Sequence, residues 1–214
     1  MEQDKRAGTI LIADDHPLFR QAMAMAAQAV CPAGTVIEAA TVDAAIAAAA
    51  AASDLLLILL DLKMPGVAGF SGVAMLHAER PSVPILVVSS ADAGIAAPEA
   101  LRFGAVGFIG KGEDLDTIEA AIAAALSGAP IELPQPPAGE VDDMAKKVAT
   151  LTPTQLRVLL GVLEGRLNKQ IAFDLVITEA TVKAHMTAVL AKLGVQNRTQ
   201  AALAARALGI GMRH

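Results

Sequence analysis

The sequence predicts an α/β domain followed by a smaller all-α domain. Short apolar runs alternate with helical patterns over residues 9–127, and the runs are continuous rather than alternately apolar and polar. Such strands are typical of a parallel sheet that helices cover on both faces. A stretch with four prolines, at residues 127–147, then separates this region from a C-terminal part whose pattern is helical throughout.

Five βα units predict a doubly wound sheet in the first domain. The strand candidates lie at 9–13, 35–40, 55–60, 84–90 and 105–110. The helix candidates between and after them lie at about 17–30, 42–52, 70–79, 98–103 and 113–127. Thr41 is a predicted cap of the alanine-rich second helix, because its hydroxyl can accept from a free N–H group. Pro98 fits only the first turn of a helix, so we expect the fourth helix to start late or to be mobile.

Four helices are predicted after the proline-bearing stretch. Thr152 caps the first and Pro153 starts it, and the helix closes at Gly165. The others start at Asn168, at 179 and at 198, and Gly194 stops the third. The predicted organisation is therefore a domain at 1–127, a linker with extended segments at 128–149 and a helical domain at 150–214.

Composition excludes several classes of protein. The chain is 54% hydrophobic, but no apolar run approaches the roughly 20 residues that span a membrane. The N-terminus lacks the apolar core of a secretory signal. The single cysteine, Cys31, excludes an internal disulfide and a multi-cysteine metal site, and we expect a packed thiol. These features predict a cytoplasmic protein without a membrane partner.

The net charge of -5 is unevenly distributed along the chain. Residues 1–127 hold 7 basic and 15 acidic side chains, whereas residues 151–214 hold 8 basic and 3 acidic ones. An acidic front half joined to a basic tail predicts that the tail meets a polyanion.

Carboxylates follow two of the predicted strands at the point where each strand ends. Asp14 and Asp15 come directly after the first strand, and Asp61 follows the third. Ligands of open parallel sheets bind at this edge, and the three carboxylates converge there if the two strands are neighbours. Like charges that close repel each other unless a cation joins them, and Mg²⁺ is the natural oxygen-bound cation.

Two further strand ends supply the groups that a phosphoryl site needs. Ser89 and Ser90 end the fourth strand with hydroxyls, and Lys111 follows the fifth with an ammonium group. Mg²⁺, Lys111 and Ser89 can together neutralise charge on phosphoryl oxygens. Asp61 is the candidate nucleophile, because aspartate can form an acyl phosphate.

Each of these residues taken alone has a structural interpretation. An aspartate after a strand is most often a helix cap, and a lone lysine is most often a solvated surface residue. The succession of all of them at C-terminal strand ends favours the phosphoryl site.

The helix predicted from 179 has two distinct faces. A buried stripe is expected from Val182, Met186, Val189 and Leu193. The opposite face carries small residues and one lysine: Ala180, Lys183, Ala184, Thr187 and Ala191. A short helix, a tight turn and this helix predict a helix-turn-helix whose second helix enters the major groove of DNA. The alternative is a solvated face of a plain helical bundle.

Residues 9–127 resemble the receiver domain of two-component response regulators, through "ILIADDHPLFR", "LLDLKMPG", "VVSS" and "GAVGFIGK". Residues 150–209 resemble the LuxR-type helix-turn-helix of the NarL/FixJ class, through "LTPTQLRVL", "NKQIA" and "TEATVKAHMTAVLAKLGVQNRTQA". The resemblance implies a flavodoxin-like (βα)5 receiver with a parallel sheet, followed by a four-helix helix-turn-helix domain. It implies a phosphorylation-controlled DNA-binding transcription regulator rather than an enzyme.

The resemblance also implies the site residues of the receiver. Asp61 accepts the phosphoryl group from a sensor histidine kinase. Asp15, Asp61 and the main-chain carbonyl of Lys63 hold Mg²⁺, and Asp14 assists through water. Ser89 and Lys111 bind the phosphoryl oxygens, and Phe108 stands where receivers carry a switch aromatic. The chain departs from the common pattern at Gly112, where many receivers have proline, and at Ser90, where alanine or glycine is common.

For the tail, the resemblance implies contact with double-stranded DNA. A homodimer on inverted half-sites, formed on phosphorylation, is a separate expectation, because a two-fold dimer matches a two-fold DNA site. Lys183, Ala184 and Thr187 are implied to face base edges. The implied phosphate contacts, or supports of them, are Asn168, Lys169, Thr181 and His185. In the last helix Ala201, Leu203, Ala204 and Leu208 fit either a dimer contact or the domain core.

Two other functions remain open from the sequence. One is a regulator that acts without phosphorylation, and the other is a phosphatase with an aspartyl-phosphate, although no second carboxylate follows Asp61 at short spacing. The opposite charges of the two domains further predict a closed form in which the receiver covers the recognition helix.

Overall fold

The fold is described from a computed structural model over residues 7–65, 69–131 and 140–208. Outside these ranges lie residues 1–6 and 66–68 of the first predicted domain, 132–139 of the predicted linker and 209–214 of the second predicted domain. No helix within the described ranges is long and apolar enough to cross a membrane.

A five-stranded parallel sheet forms the first domain, in the order β2-β1-β3-β4-β5. The strands are β1 Thr9–Ala13, β2 Thr35–Ala39, β3 Leu55–Leu60, β4 Ile85–Ser89 and β5 Gly107–Gly110. Ala13 pairs with Leu60, and Ser89 pairs with Gly110. The residues after these pairs, Asp14 and Asp61 on one side and Lys111 on the other, therefore leave the sheet at one edge. This confirms the predicted fold, and the first and third strands are neighbours, which is the condition for the acids to converge.

Five helices cover the two faces of this sheet. They are α1 Pro17–Val30, α2 Val42–Ala51, α3 Ser71–Glu79, α4 Ala93–Arg102 and α5 Leu115–Ser127. One buried cluster joins the sheet to α1 and α5, and a larger one joins it to α2, α3 and α4. Thr41 caps α2 as predicted, since its Oγ1 accepts from the Ala44 N–H at 3.2 Å. Cys31 is buried at the end of α1, also as predicted.

The prediction for the fourth helix is wrong. Helix α4 starts at Ala93, five residues before Pro98, and the proline lies inside the helix. Asp92 starts the helix early, because its Oδ1 accepts from the Gly94 N–H at 2.8 Å. Pro98 has no N–H group to donate to the carbonyl of Gly94. Gly94 is exposed, so water can reach that carbonyl instead. The early cap thus outweighs the proline.

Five more helices follow the first domain. They are α6 Glu140–Ala149, α7 Pro153–Leu163, α8 Asn168–Asp174, α9 Glu179–Leu193 and α10 Arg198–Ala207. Thr152 and Gln155 form a reciprocal cap at the start of α7, which confirms the predicted start. Helix α6 occupies the second half of the segment predicted as an extended linker, and that part of the prediction is wrong. The last proline before it is Pro137, so nothing prevents a helix from 140 onward.

The two domains pack on each other through α3. The first six residues of α3 are all buried, since the sheet lies on one side and α6 and α7 lie on the other. Ala145 and Val148 of α6 belong to the same buried cluster as Met75 of α3. A helix that is buried all round is part of a core rather than a surface. The helical domain is therefore docked on the receiver face that carries α3.

The chain after α5 returns to the edge strand of the sheet. A Cβ atom added at Gly107 of β5 would lie 2.7 Å from the Ile131 side chain. Ile131 is partly buried against the cluster under α1 and α5. The Ile131 side chain thus packs against β5, and the chain lies beside the sheet at residue 131.

Candidate functional sites: an acidic pocket and an exposed helix

The acidic pocket lies at the C-terminal edge of the sheet, where β1, β3 and β5 end. The side chains of Asp14 and Asp61 are 4% and 1% exposed. The ammonium of Lys111 lies 2.6 Å from Asp14 Oδ2 and 2.7 Å from Asp61 Oδ2. One lysine thus bridges two buried carboxylates that come from different strands, and the burial of each charge is compensated by the others.

Backbone groups fix the other oxygen of each buried carboxylate. The N–H of His16 donates to Asp14 Oδ1 at 2.7 Å. The N–H of Lys63 donates to Asp61 Oδ1 at 3.2 Å. Each carboxylate therefore has one oxygen on the backbone of its own loop and one on Lys111, which holds both planes in a defined orientation.

The chemistry of the donor set fits a hard divalent cation. One side-chain donor atom each from Asp14, Asp15, His16 and Asp61 lies within 4.8 Å of all the others. Asp15 Oδ1 is buried and makes no acceptable hydrogen bond with the described residues, although His16 Nδ1 lies 2.7 Å away. A buried carboxylate oxygen without a hydrogen bond at a cluster of oxygen donors suits a metal ligand. Sequence reasoning did not include His16, whose position beside two aspartates is the only signal of its role.

Hydroxyl groups line the other side of the pocket. Ser89 is fully buried, and its Oγ accepts from the Ala91 N–H at 3.3 Å. Ser90 is exposed and lines an open pocket of about 410 Å³ together with Asp61, Lys63 and Lys111. The volume is ample for a phosphoryl group with its water.

One aromatic ring lies against Lys111, and the predicted switch aromatic is buried in the core. Phe108 is buried in the cluster under α3 and α4. Phe19 of α1 lies under the ammonium, 4.7 Å from Nζ to the ring centroid, an attractive cation–π contact. Sequence reasoning missed Phe19, because the 91 positions between it and Lys111 give no sign of contact.

Helix α9 has the two predicted faces. The stripe of Val182, Met186, Val189 and Leu193 is buried. The opposite face is exposed at Ala180, Lys183, Ala184, Thr187 and Ala191. Thr178 caps the helix through the Thr181 N–H at 3.1 Å, and Gly194 ends it with a φ of 71°. The small exposed side chains leave the helix narrow enough for a major groove.

The remaining predicted contact residues divide into free and engaged ones. Lys169 is exposed at the start of α8. Asn168 is half-buried, and its Oδ1 accepts from Arg198 Nη1 at 3.0 Å. The Thr181 hydroxyl lies 2.8 Å from that of Thr178, and the His185 ring is half-buried. Asn168 and Thr181 are therefore placed to support the surface rather than to reach far from it.

The predicted masking of the recognition helix is wrong in this structure. Helices α6 and α7 contact the receiver, whereas the outer face of α9 remains exposed in the full chain. The docking side is the one on which α3 is buried against α6 and α7. Ala201 of α10 and Leu208, just after it, belong to the core, and Leu203 is 62% exposed.

Family models match both parts of the chain. The response regulator receiver domain matches residues 10–123. The family of bacterial regulatory proteins named luxR matches residues 149–205. The two matches together cover the pocket, α7 to α9 and most of α10.

Similar proteins span nearly the whole length. The glycerol metabolism activator of Pseudomonas putida is 40% identical over 92% of this chain and 94% of its own. The nitrate/nitrite response regulator protein NarP of Escherichia coli is 30% identical over 91% of this chain and 92% of its own. A structure of the Salmonella typhimurium RcsB response regulator, at 22% identity, shares the fold with a TM-score of 0.53 over 94% of this chain and 98% of its own. The chain belongs to the response regulators, with a receiver domain followed by a LuxR-type DNA-binding domain.

Proposed function

We propose that Asp61 is the residue through which this response regulator is switched, by transfer of a phosphoryl group from a sensor histidine kinase. The observation that carries the proposal is the Lys111 ammonium, held between Asp14 and Asp61 at 2.6 and 2.7 Å. A buried carboxylate held beside a cation at an open pocket is oriented for attack on phosphorus.

In the transfer, an Asp61 oxygen forms a bond to phosphorus while the bond from phosphorus to the kinase histidine nitrogen breaks. The product is an acyl phosphate on Asp61. Lys111 exchanges its contact with Asp61 for a contact with a phosphoryl oxygen. The Ser89 hydroxyl donates a hydrogen bond to a second phosphoryl oxygen. The Ser89 hydrogen is not committed by its bond to Ala91, because that bond uses the oxygen as an acceptor.

Mg²⁺ is the cofactor that we propose for this step, where it would neutralise charge on the phosphoryl oxygens. Asp15, Asp61 and the main-chain carbonyl of Lys63 are the proposed ligands, with Asp14 acting through water. The described residues fit this set, since Asp15 Oδ1 has no hydrogen bond. His16 Nδ1 lies beside Asp15 Oδ1, so the histidine would have to give way to the cation. The His16 ring is exposed, and it can therefore move away easily.

The output is binding of duplex DNA by α9. Lys183, Ala184 and Thr187 would approach base edges, and Lys169 would meet a phosphate group. Their exposure in the full chain supports this role. A two-fold dimer of this domain would match two-fold half-sites, with phosphorylation favouring the dimer, in the cytoplasm where the chromosome lies.

The test is intact-mass measurement after incubation with a small-molecule phosphodonor and Mg²⁺. We expect one phosphoryl group on the wild-type chain and none on Asp61→Asn or after chelation. The matched control is Asp54→Asn, because Asp54 sits at the opposite edge of the sheet and accepts from Thr9. A phosphoryl group that persists on Asp61→Asn contradicts the assignment, and an Asp61→Asn chain that regulates normally favours control without phosphorylation.

A further inference from the structure

Arg20 of α1 reaches back to the acidic pocket from outside it. Its side chain is 17% exposed, and its Nη1 donates to the main-chain carbonyl of Asp14 at 2.8 Å. Its Nε donates to Glu38 Oε2 of β2 at 2.9 Å. The guanidinium therefore joins the loop after β1 to the end of the neighbouring strand, without touching a side chain of the pocket itself.

The carbonyl that Arg20 holds belongs to the peptide between the two adjacent acids. The N–H of Asp14 donates to the Ala39 carbonyl at 3.0 Å, so the residue is fixed at both ends of its main chain. The peptide plane sets the direction in which Asp15 leaves the loop, because its N atom belongs to that plane. Rotation of the peptide would swing the Asp15 carboxylate away from Asp14 and Asp61.

Glu38 determines where the guanidinium points. The Glu38 carboxylate accepts from Arg20 Nε, and Arg20 Nη1 donates to the Asp14 carbonyl. The planar guanidinium of arginine fixes the angle between these two hydrogen bonds. A lysine at position 20 can satisfy one of the two acceptors but has no second donor in the same plane. The geometry is therefore specific to arginine.

We propose that Arg20 is a positioning residue that sets the affinity of the pocket for its divalent cation, by fixing the Asp14–Asp15 peptide. The inference rests on the proposed metal site. Groups that orient metal ligands from behind alter metal affinity by about 10–100-fold when they are removed. Arg20 acts through the peptide and leaves the chemistry of Asp61 to the residues already described.

A purely structural staple is the competing explanation, and the chain offers a matched control for it. Arg80 also donates to main-chain carbonyls, with Nε on Ala49 at 2.6 Å and Nη2 on Ala52 at 2.6 Å. These carbonyls end α2, away from the pocket. Nη2 of Arg80 also donates to the Ala50 carbonyl at 3.0 Å, so Arg80→Met removes three bonds to main-chain carbonyls and should lower stability without reaching the acids.

The experiment measures Mn²⁺ binding to the full chain by electron paramagnetic resonance, beside chemical unfolding of each variant without metal. Arg20→Met is expected to raise the Mn²⁺ dissociation constant at least about tenfold. Arg20→Lys should recover part of the loss, and Glu38→Gln should raise the constant by less than Arg20→Met. Arg80→Met should unfold more easily and bind Mn²⁺ like the wild type.

Each outcome decides one question. Wild-type affinity in Arg20→Met overturns the positioning role, as does an equal loss of affinity in Arg80→Met. If Arg20→Met does not fold, the same criteria apply to Arg20→Lys and Glu38→Gln. Mn²⁺ affinity that is the same in the wild type and in Asp15→Asn overturns the proposed metal site itself, and the inference with it.

Discussion

The acidic pocket and the outer face of α9 carry charge in opposite ways. In the pocket, Asp61 is 1% exposed and has Lys111 as its own counter-charge. On α9, Lys183 is exposed, and its ammonium has no ion pair with any residue in the described ranges. The first site is assembled with its partners inside the chain, whereas the second leaves its charge for a partner from outside.

The difference separates folding from binding. An anion that enters the pocket must replace an internal partner, and a substitution that removes one partner leaves a buried charge uncompensated. A phosphate that meets α9 displaces only water and counterions. Substitutions in the pocket should therefore change stability, and substitutions on the face of α9 should change binding.

The largest expected effect is that of Lys111→Met. It leaves two buried carboxylates without their shared cation, and removal of one partner of a buried pair costs about 3 kcal/mol. Urea unfolding without divalent cations measures this loss. Lys63→Met is the control, because Lys63 lines the same pocket but is exposed, and its change should stay within about 0.5 kcal/mol. Equal stability of both variants would break the comparison.

The second effect concerns Lys183→Ala, which should weaken DNA binding and leave stability within about 0.5 kcal/mol. If Lys183 reads a base, preference at one position relaxes at a cost of about 1–3 kcal/mol. If it meets a phosphate, affinity falls evenly across sequences and the salt slope shrinks by about 1.

Selection of bound DNA from a random pool, followed by salt titration, distinguishes these two results. Lys192→Ala serves as the control, since that ammonium is held by the Thr150 carbonyl at 2.6 Å. Unchanged binding of Lys183→Ala would place the DNA surface elsewhere.

A smaller effect, an increase in stability, is expected from a substitution in the turn before α9. Val176 has a φ of 54° and is 91% exposed, so a β-branched residue occupies the left-handed region with little packing in return. Asparagine tolerates that region, and Val176→Asn should raise the free energy of unfolding by about 1 kcal/mol. Phe173→Asn, equally exposed but in α8, should give no gain. Thermal unfolding of both variants tests the point.

The smallest effect is the pH dependence that His77 contributes. Burial lowers the pKa of this histidine, and its Nδ1 has no hydrogen bond with the described residues. The unfolded chain therefore binds the proton more tightly than the folded chain, and stability falls as pH drops below the ordinary histidine value. His77→Gln should flatten the slope of unfolding free energy between neutral and mildly acidic pH. An unchanged slope would assign the dependence to other groups.

The sequence predicted the strands, most helix ends and the residues at the sheet edge, because these depend on local patterns. Continuous apolar runs define β1 to β5, and Thr41, Thr152 and Gly194 act as caps through bonds within a few residues. The convergence of the acids required only that β1 and β3 be neighbours. Phe19 and Arg20 were missed, since their contacts depend on which way α1 turns its side chains.

Helix α6 and the docking of α3 were also missed, for a different physical reason. The prolines up to Pro137 led to the prediction of a linker to 149, although a helical pattern begins at 140. The sequence did not predict that α3 is buried on both sides. A helix with few polar residues is found in the core of one domain as well as at an interface between two domains. Opposite net charges predicted a closed form on α9, whereas in the structure the receiver packs against α6 and α7.

The position of Ile131 beside the sheet has a consequence for how strongly the domains need to hold each other. Only nine peptide steps separate Ile131 from Glu140, which starts α6, and they reach at most about 30 Å. Such a short tether keeps the two domains at an effective concentration of about millimolar. A contact that would be too weak to persist between separate molecules would then suffice within one chain.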